Sequence, residues 1–186
     1  MKKTILLPFL FFTTLIYAQN YFVPISETAM QLAPDSDRRI IPERYTTFEL
    51  DVASLSDFLT TIPMEFTEEA SSHESILMVP QADGSNEPFA VWRVMACEPQ
   101  VYTMFPEIRT FAGVSLENPG KTIRGSVTMR GCKLMIMHPN ADIDYVEPYA
   151  WEQTRYYMLY NRAHYPESMS ENPGDSGMKV LARTGN

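Results

Sequence analysis

The sequence predicts an α+β fold, a mostly antiparallel β-sheet domain with one or two short helices. Three observations predict it. Leu55, Phe58, Leu59 and Ile62 recur at helical spacing in one short stretch only. From Ser75 onward, short β-branched and aromatic segments alternate with Gly, Pro, Asn and Asp turn signals. The order of strand, helix, then a run of strands suits a layered α+β sheet better than a doubly wound one.

The first residues read as an export signal. Lys2 and Lys3 precede an apolar stretch from Ile5 to Tyr17, and Ala18 supplies the small residue before Gln19. Cleavage is expected between Ala18 and Gln19, and residues 1–18 are read as the signal peptide. The apolar stretch is short for a membrane span, and no second one follows. The expected product is secreted or periplasmic, with 168 of the 186 residues. Removing Lys2 and Lys3 takes the net charge from −8 to −10. An acidic balance of this size argues against nucleic acid and anionic membrane as partners, since both need a basic face.

Residues 19–41 read as an extended N-terminal arm, punctuated by Pro24 and Pro34 and carrying the cluster Asp35-Ser36-Asp37-Arg38-Arg39. Residues 42–165 read as the α+β domain. A strand over Thr46 to Asp51 leads to a helix capped by Asp51 or Ser54 and stopped by Pro63. Ser75 to Pro80 and Pro88 to Ala96 read as a hairpin around Ala82-Asp83-Gly84-Ser85, with Gly84 supplying positive φ. A short helix fits Glu98 to Phe105. Further strands are expected over 108–112, 122–129, 133–137, 144–146 and 155–161. Turns fall at Asn118-Pro119-Gly120, Arg130-Gly131 and Asn140-Ala141-Asp142. Residues 166–186 read as a linker and tail.

No catalytic apparatus is evident. The chain has no His-Glu-x-x-His, no Gly-x-Ser-x-Gly and no phosphate loop. His73, His138 and His164 are isolated in sequence, and Glu68-Glu69 reads as a solvated face. Gly113, Gly120, Gly125 and Gly131 punctuate strands and lack nucleotide-loop spacing. Cys97 and Cys132 permit one disulfide in an exported chain, and neither lies at a helix start where a thiolate would be favoured. The run Tyr145, Tyr149, Trp151, Tyr156, Tyr157 and Tyr160 suits strand alternation, or a carbohydrate platform. Arg109 and Arg124, each among apolar strand residues, suit ion pairs or a clamp on a partner's carboxylate. The residues alone describe an exported α+β binding domain with no catalytic residue, no metal ligand and no cofactor.

Several segments together resemble a known family. They are Arg38-Arg39-Ile40-Ile41-Pro42 with Tyr45-x-x-Phe48-x-Leu50-Asp51; Leu55, Leu59 and Pro63; Asp83-Gly84-Ser85; and Phe89-x-Val91-Trp92. They continue with Phe105-Pro106-Glu107-Ile108-Arg109-Thr110-Phe111-x-Gly113, Thr122-Ile123-Arg124, Tyr145-x-Glu147-Pro148-Tyr149 and Tyr156-Tyr157. In this order, over about residues 38 to 165, they are similar to the pro-region of secreted reprolysin-like zinc metalloproteases of Bacteroidetes. The resemblance implies a propeptide that assists folding of a zinc metalloprotease catalytic domain, in cis or in trans, and inhibits it as a zymogen does. The zinc-binding His-Glu-x-x-His is absent, so the expected protein is no enzyme but a protease inhibitor, either a truncated gene product or a stand-alone remnant. A pro-region can block zinc with a thiolate or carboxylate; Cys132 in strand-like sequence suits this poorly, Asp175 in the linker is the candidate, and blocking by the folded domain and tail without zinc contact is the alternative. The alternative is a stand-alone extracytoplasmic binding module for a glycan or surface protein.

Overall fold

The computed structural model describes residues 20–72, 75–96 and 98–165. The signal-cleavage pair Ala18 and Gln19, His73, Cys97, Asp175 and the linker lie outside them.

The α+β expectation is corrected. Nine antiparallel strands form one continuous sheet curled into a nearly closed barrel, and three short helices make no second layer. The strands are β1 (Phe22–Pro24), β2 (Thr46–Leu50), β3 (Ile76–Pro80), β4 (Asn86–Arg93), β5 (Arg109–Ser115), β6 (Thr122–Thr128), β7 (Gly131–Met137), β8 (Ile143–Pro148) and β9 (Tyr156–Asn161). Their order in space is β1-β2-β9-β8-β7-β6-β5-β4-β3, and the edge strands β1 and β3 come into contact to bring the barrel near closure. The helices are α1 (Val52–Thr61), α2 (Glu68–Ser72) and α3 (Pro99–Met104).

The physical reason for the correction lies in α1. Its apolar positions do not lie on the outside of a sheet. Leu55 and Leu59 are fully buried among the inward side chains of the strands, with Ile62 just beyond the helix end. A barrel of this strand number leaves an interior that side chains must fill, and the helix helps to fill it. Asp51 is the N-cap, accepting from Ser54 N at 3.0 Å and Ser54 Oγ at 2.7 Å. Ile62 ends the helix in extended backbone before Pro63.

Alternation along the strands builds the core. Leu77 and Val79, Phe89 and Val91, Phe111, Ile123 and Val127, Cys132, Leu134 and Ile136, Val146, and Tyr157 and Leu159 point inward. β9 is buried on both faces. Its outward residues Tyr156, Met158 and Tyr160 pack with Ile25, Met30, Leu32 and Ile40 of the lead segment. The arm read over 19–41 is therefore part of the fold. Phe22–Pro24 pairs with β2 in the register Phe22 to Leu50, and Gln31 N donates to Tyr156 Oη at 3.1 Å. Arg38 holds the same segment, its guanidinium 3.9 Å from the Tyr149 ring centroid and 5.3 Å from that of Tyr45.

The β6–β7 hairpin pairs Thr128 with Gly131, so its loop is Met129-Arg130, one residue earlier than the sequence suggested. Arg109 and Arg124 are not equivalent. Arg109 pairs with Val127 and turns Nη1 back to donate to the carbonyls of Pro106 and Ile108. Arg124 shares its strand with the inward Ile123 but stands on the outer face, exposed.

Cys132 is a free thiol with no exposure, and burial pushes its pKa from 9.0 up to about 12. Burial also raises the Tyr157 and Tyr160 hydroxyls. Because the folded values exceed the unfolded ones, the unfolded chain loses these protons first. Their stabilising contribution is complete below about pH 9 and is lost as pH rises towards 12. Urea midpoints measured across that range are expected to fall, and Cys132→Ala to flatten the onset near pH 9. An unchanged midpoint up to pH 11 would refute this reading of the buried groups.

Candidate groove on the outer barrel face

Residues of the lead segment, of β5 to β9 and of the loops beside them, most of them outward, line three adjoining clefts of about 230, 340 and 520 Å³. Lys133 and Glu147 line all three, so the clefts form one groove centred on this pair. Lys133 on β7 and Glu147 on β8 sit on one outer face, and Lys133 Nζ donates to Glu147 Oε1 at 2.8 Å. Tyr160 on β9 donates to Glu147 Oε2 at 2.7 Å. That leaves Glu147 fully engaged while Lys133, with its side chain 66% exposed, faces the groove.

Three rims surround the centre. On the first, Ile40 and Arg39 meet Pro148, Tyr149, Trp151 and Arg130. Arg39 stacks 3.5 Å from the Trp151 ring centroid and Arg130 lies 5.1 Å from it, with Trp151 still 38% exposed. On the second, Arg124, Ser126 and Met135 meet Tyr145. On the third, Tyr145, Tyr160 and Tyr165 meet Arg162. Tyr145 and Tyr160 have ring centroids 5.6 Å apart, and Tyr160 and Tyr165 stack at 6.1 Å. Burial, and then Glu147, raise the Tyr160 hydroxyl, which stays a proton donor.

Other residues singled out in the sequence lie elsewhere. His138 Nε2 is 2.8 Å from Asp144 Oδ2, and Asp144 Oδ1 accepts from Asn161 Nδ2 at 2.7 Å. This triad ties the end of β7 to β8 and β9, and none of its members lines the groove. His164 sits in a short 3-10 turn, where its carbonyl accepts from Glu43 N at 2.9 Å. Glu68 and Glu69 start α2. Among the described residues, no group of three or more His, Cys, Asp or Glu side chains is placed to hold a metal ion. Of the aromatic run, Tyr145, Tyr149, Trp151 and Tyr160 line the groove; Tyr156 lies under the lead segment and Tyr157 in the barrel.

The sequence missed the role of Lys133, Glu147 and Arg130 as groove residues. The signal was available in part. Lys133 and Met135 alternate with inward Cys132, Leu134 and Ile136, and Tyr145 and Glu147 with Val146, which places all four outward. Their meeting across β7 and β8 depends on a register that only pairing reveals.

Comparison with known protein families, curated proteins and solved structures finds no match to this chain.

Proposed function

We propose that this chain is a non-catalytic, exported pro-region-like domain that assists folding of a secreted zinc metalloprotease and holds it inactive. One observation carries the reading. Segments far apart in sequence that make up the resemblance converge on one wall of the barrel: Arg39 and Ile40, Arg124, and Tyr145, Glu147, Pro148 and Tyr149 line the groove together. Arginine, tyrosine and tryptophan, the residue types that anchor protein interfaces, supply nine of the 23 residues lining that wall. Holding a partner this way needs no nucleophile or metal in this domain.

The test is to refold zinc metalloprotease catalytic domains encoded in the same genome, beginning with the nearest gene, with and without this protein. The expected result is a higher yield of folded protease together with lowered peptide hydrolysis. No effect on either quantity overturns the reading.

Trp151, exposed and stacked with arginine, favours one second reading, a stand-alone module for a glycan or surface protein. Retention of the protein on a glycan array, lost with Trp151→Ala, would select it.

A further inference from the structure

The distribution of charge around the groove bears on its occupant. The whole chain is acidic, at −8. Yet Arg39, Arg124, Arg130, Lys133 and Arg162 line the three clefts, five of the eleven lysines and arginines among the described residues. Glu147 and Glu152 are the acidic residues that line the clefts, Glu147 pairing with Lys133, and Asp37 beside them pairs with Arg39, which leaves Arg124, Arg130 and Arg162 without a carboxylate ion pair among the described residues. An acidic protein that gathers its cations on one aromatic-walled groove presents a surface complementary to negative charge.

From this we infer that the outer face of β6 to β9 docks an extended, acidic peptide segment of a partner protein. The inference rests on the pro-region reading and names the chemistry of the surface the partner offers.

The placement of the charges favours a peptide over an anionic polysaccharide. The cations stand on separate rims, Arg124 on one, Arg39 and Arg130 on another and Arg162 on the third, while the centre holds Lys133 already neutralised by Glu147. A densely sulfated chain would lay negative charge across that centre, where no free cation among the described residues meets it. An extended peptide spaces its carboxylates by several ångströms per residue and can set a neutral side chain there. Arg39 donates Nε to Asp37 Oδ2 at 2.9 Å, and its remaining N–H groups with those of Arg130, both over Trp151, are left for a partner's carboxylates. The tyrosines offer flat apolar contact, with the Tyr160 hydroxyl already committed to Glu147. Every strand of this face is paired on both sides, so recognition comes from side chains and not from strand addition.

The experiment uses the full chain and a short fluorescein-labelled peptide of alternating glutamate and serine, read by fluorescence anisotropy. Its controls are the lysine–serine counterpart and a sulfated polysaccharide of matched charge. The acidic peptide is expected to bind, the basic one not, and affinity to fall steeply as salt is raised. Arg124→Glu and Arg130→Glu are each expected to weaken binding by about tenfold. Both side chains are exposed, so unchanged melting temperatures verify that the variants fold. No binding of the acidic peptide overturns the proposal, and so do three other results. One is acidic-peptide binding that ignores both substitutions. Another is polysaccharide binding stronger than peptide binding. The third is peptide binding that appears only after Glu167, Glu171 and Asp175 are neutralised, which would make the chain's own tail the occupant. The two readings fail separately. Peptide binding with no effect on a protease removes the pro-region reading alone; protease inhibition insensitive to Arg124→Glu, without peptide binding, removes this surface alone.

Discussion

Glu87→Ala is expected to destabilise the protein by about 3–5 kcal/mol, because it leaves a buried lysine without its counter-charge. Glu87 is an inward position on β4, its side chain 8% exposed, and Lys121 beside it is 14% exposed. Lys121 Nζ donates to Glu87 Oε2 at 2.5 Å and to Gln81 Oε1 at 3.0 Å. Ser115 Oγ donates to Glu87 Oε1 and accepts from the backbone N–H groups of Glu117 and Asn118 at 3.1 and 2.9 Å. The cluster thus joins the end of β3, the start of β4, the end of β5 and the residue before β6. It closes one end of the barrel with polar groups that satisfy one another. Losing only the carboxylate leaves the ammonium with Gln81 Oε1 as a neutral partner and no counter-charge, and leaves the serine hydroxyl without its acceptor. Replacing both charges, as Glu87→Leu with Lys121→Met, removes the need for the pair and is expected to cost far less than Glu87→Ala alone. Urea unfolding of the three proteins decides the point; a double variant as unstable as Glu87→Ala would show that the pair acts through packing and not charge.

The second large effect is expected at the β6–β7 hairpin. Gly131 has φ +98, a backbone conformation that side-chain-bearing residues rarely adopt, and a Cβ placed there falls on Tyr157 Oη. Tyr157 has no exposure and cannot swing away. Gly131→Ala therefore combines backbone strain of about 1–2 kcal/mol with overpacking of about 1–3 kcal/mol. Tyr157→Phe alone removes the acceptor of Cys132 N–H, a 3.0 Å bond, at about 1–3 kcal/mol. In the double variant the added methyl meets Cζ at 3.4 Å and Pro148 Cγ at 3.5 Å, both ordinary contacts. The double variant is thus expected to be more stable than the sum of the singles predicts, by about 1 kcal/mol or more. Strict additivity in denaturant titrations would disprove the clash.

The sequence was a good guide wherever the signal was local. Asp51, Pro63, the Asp83-Gly84-Ser85 turn and the alternation in β6 and β7 each follow from side-chain chemistry within a few residues, and the elements there stand within three residues of expectation. The architecture was less legible. An amphipathic helix such as α1 has the same pattern whether it covers a sheet or plugs a barrel, so Leu55 and Leu59 could not distinguish the two. The lead segment looked unstructured because Phe22–Pro24 is short and ends at proline, and its partner β2 comes more than twenty residues later. The groove was the hardest to see. Its residues come from the lead segment, β6 to β9 and the loops between them, and pattern alone says that Lys133 and Glu147 point outward but not that they meet.

The place of β9 in the barrel has a temporal side. Among the described residues, the last strand to leave the ribosome is an interior strand of the sheet, pairing Thr46 with Leu159 on one side and Asp144 with Asn161 on the other. Until it arrives, a growing chain can assemble only the meander from β3 to β8, while β1 and β2 have no route into that sheet. Closure joins residues more than a hundred positions apart, the kind of long-range pairing that slows folding and leaves strand edges uncovered while it waits. A chain cut short before Tyr156 would forfeit the link between β2 and β8, so the barrel cannot exist until β9 has been made.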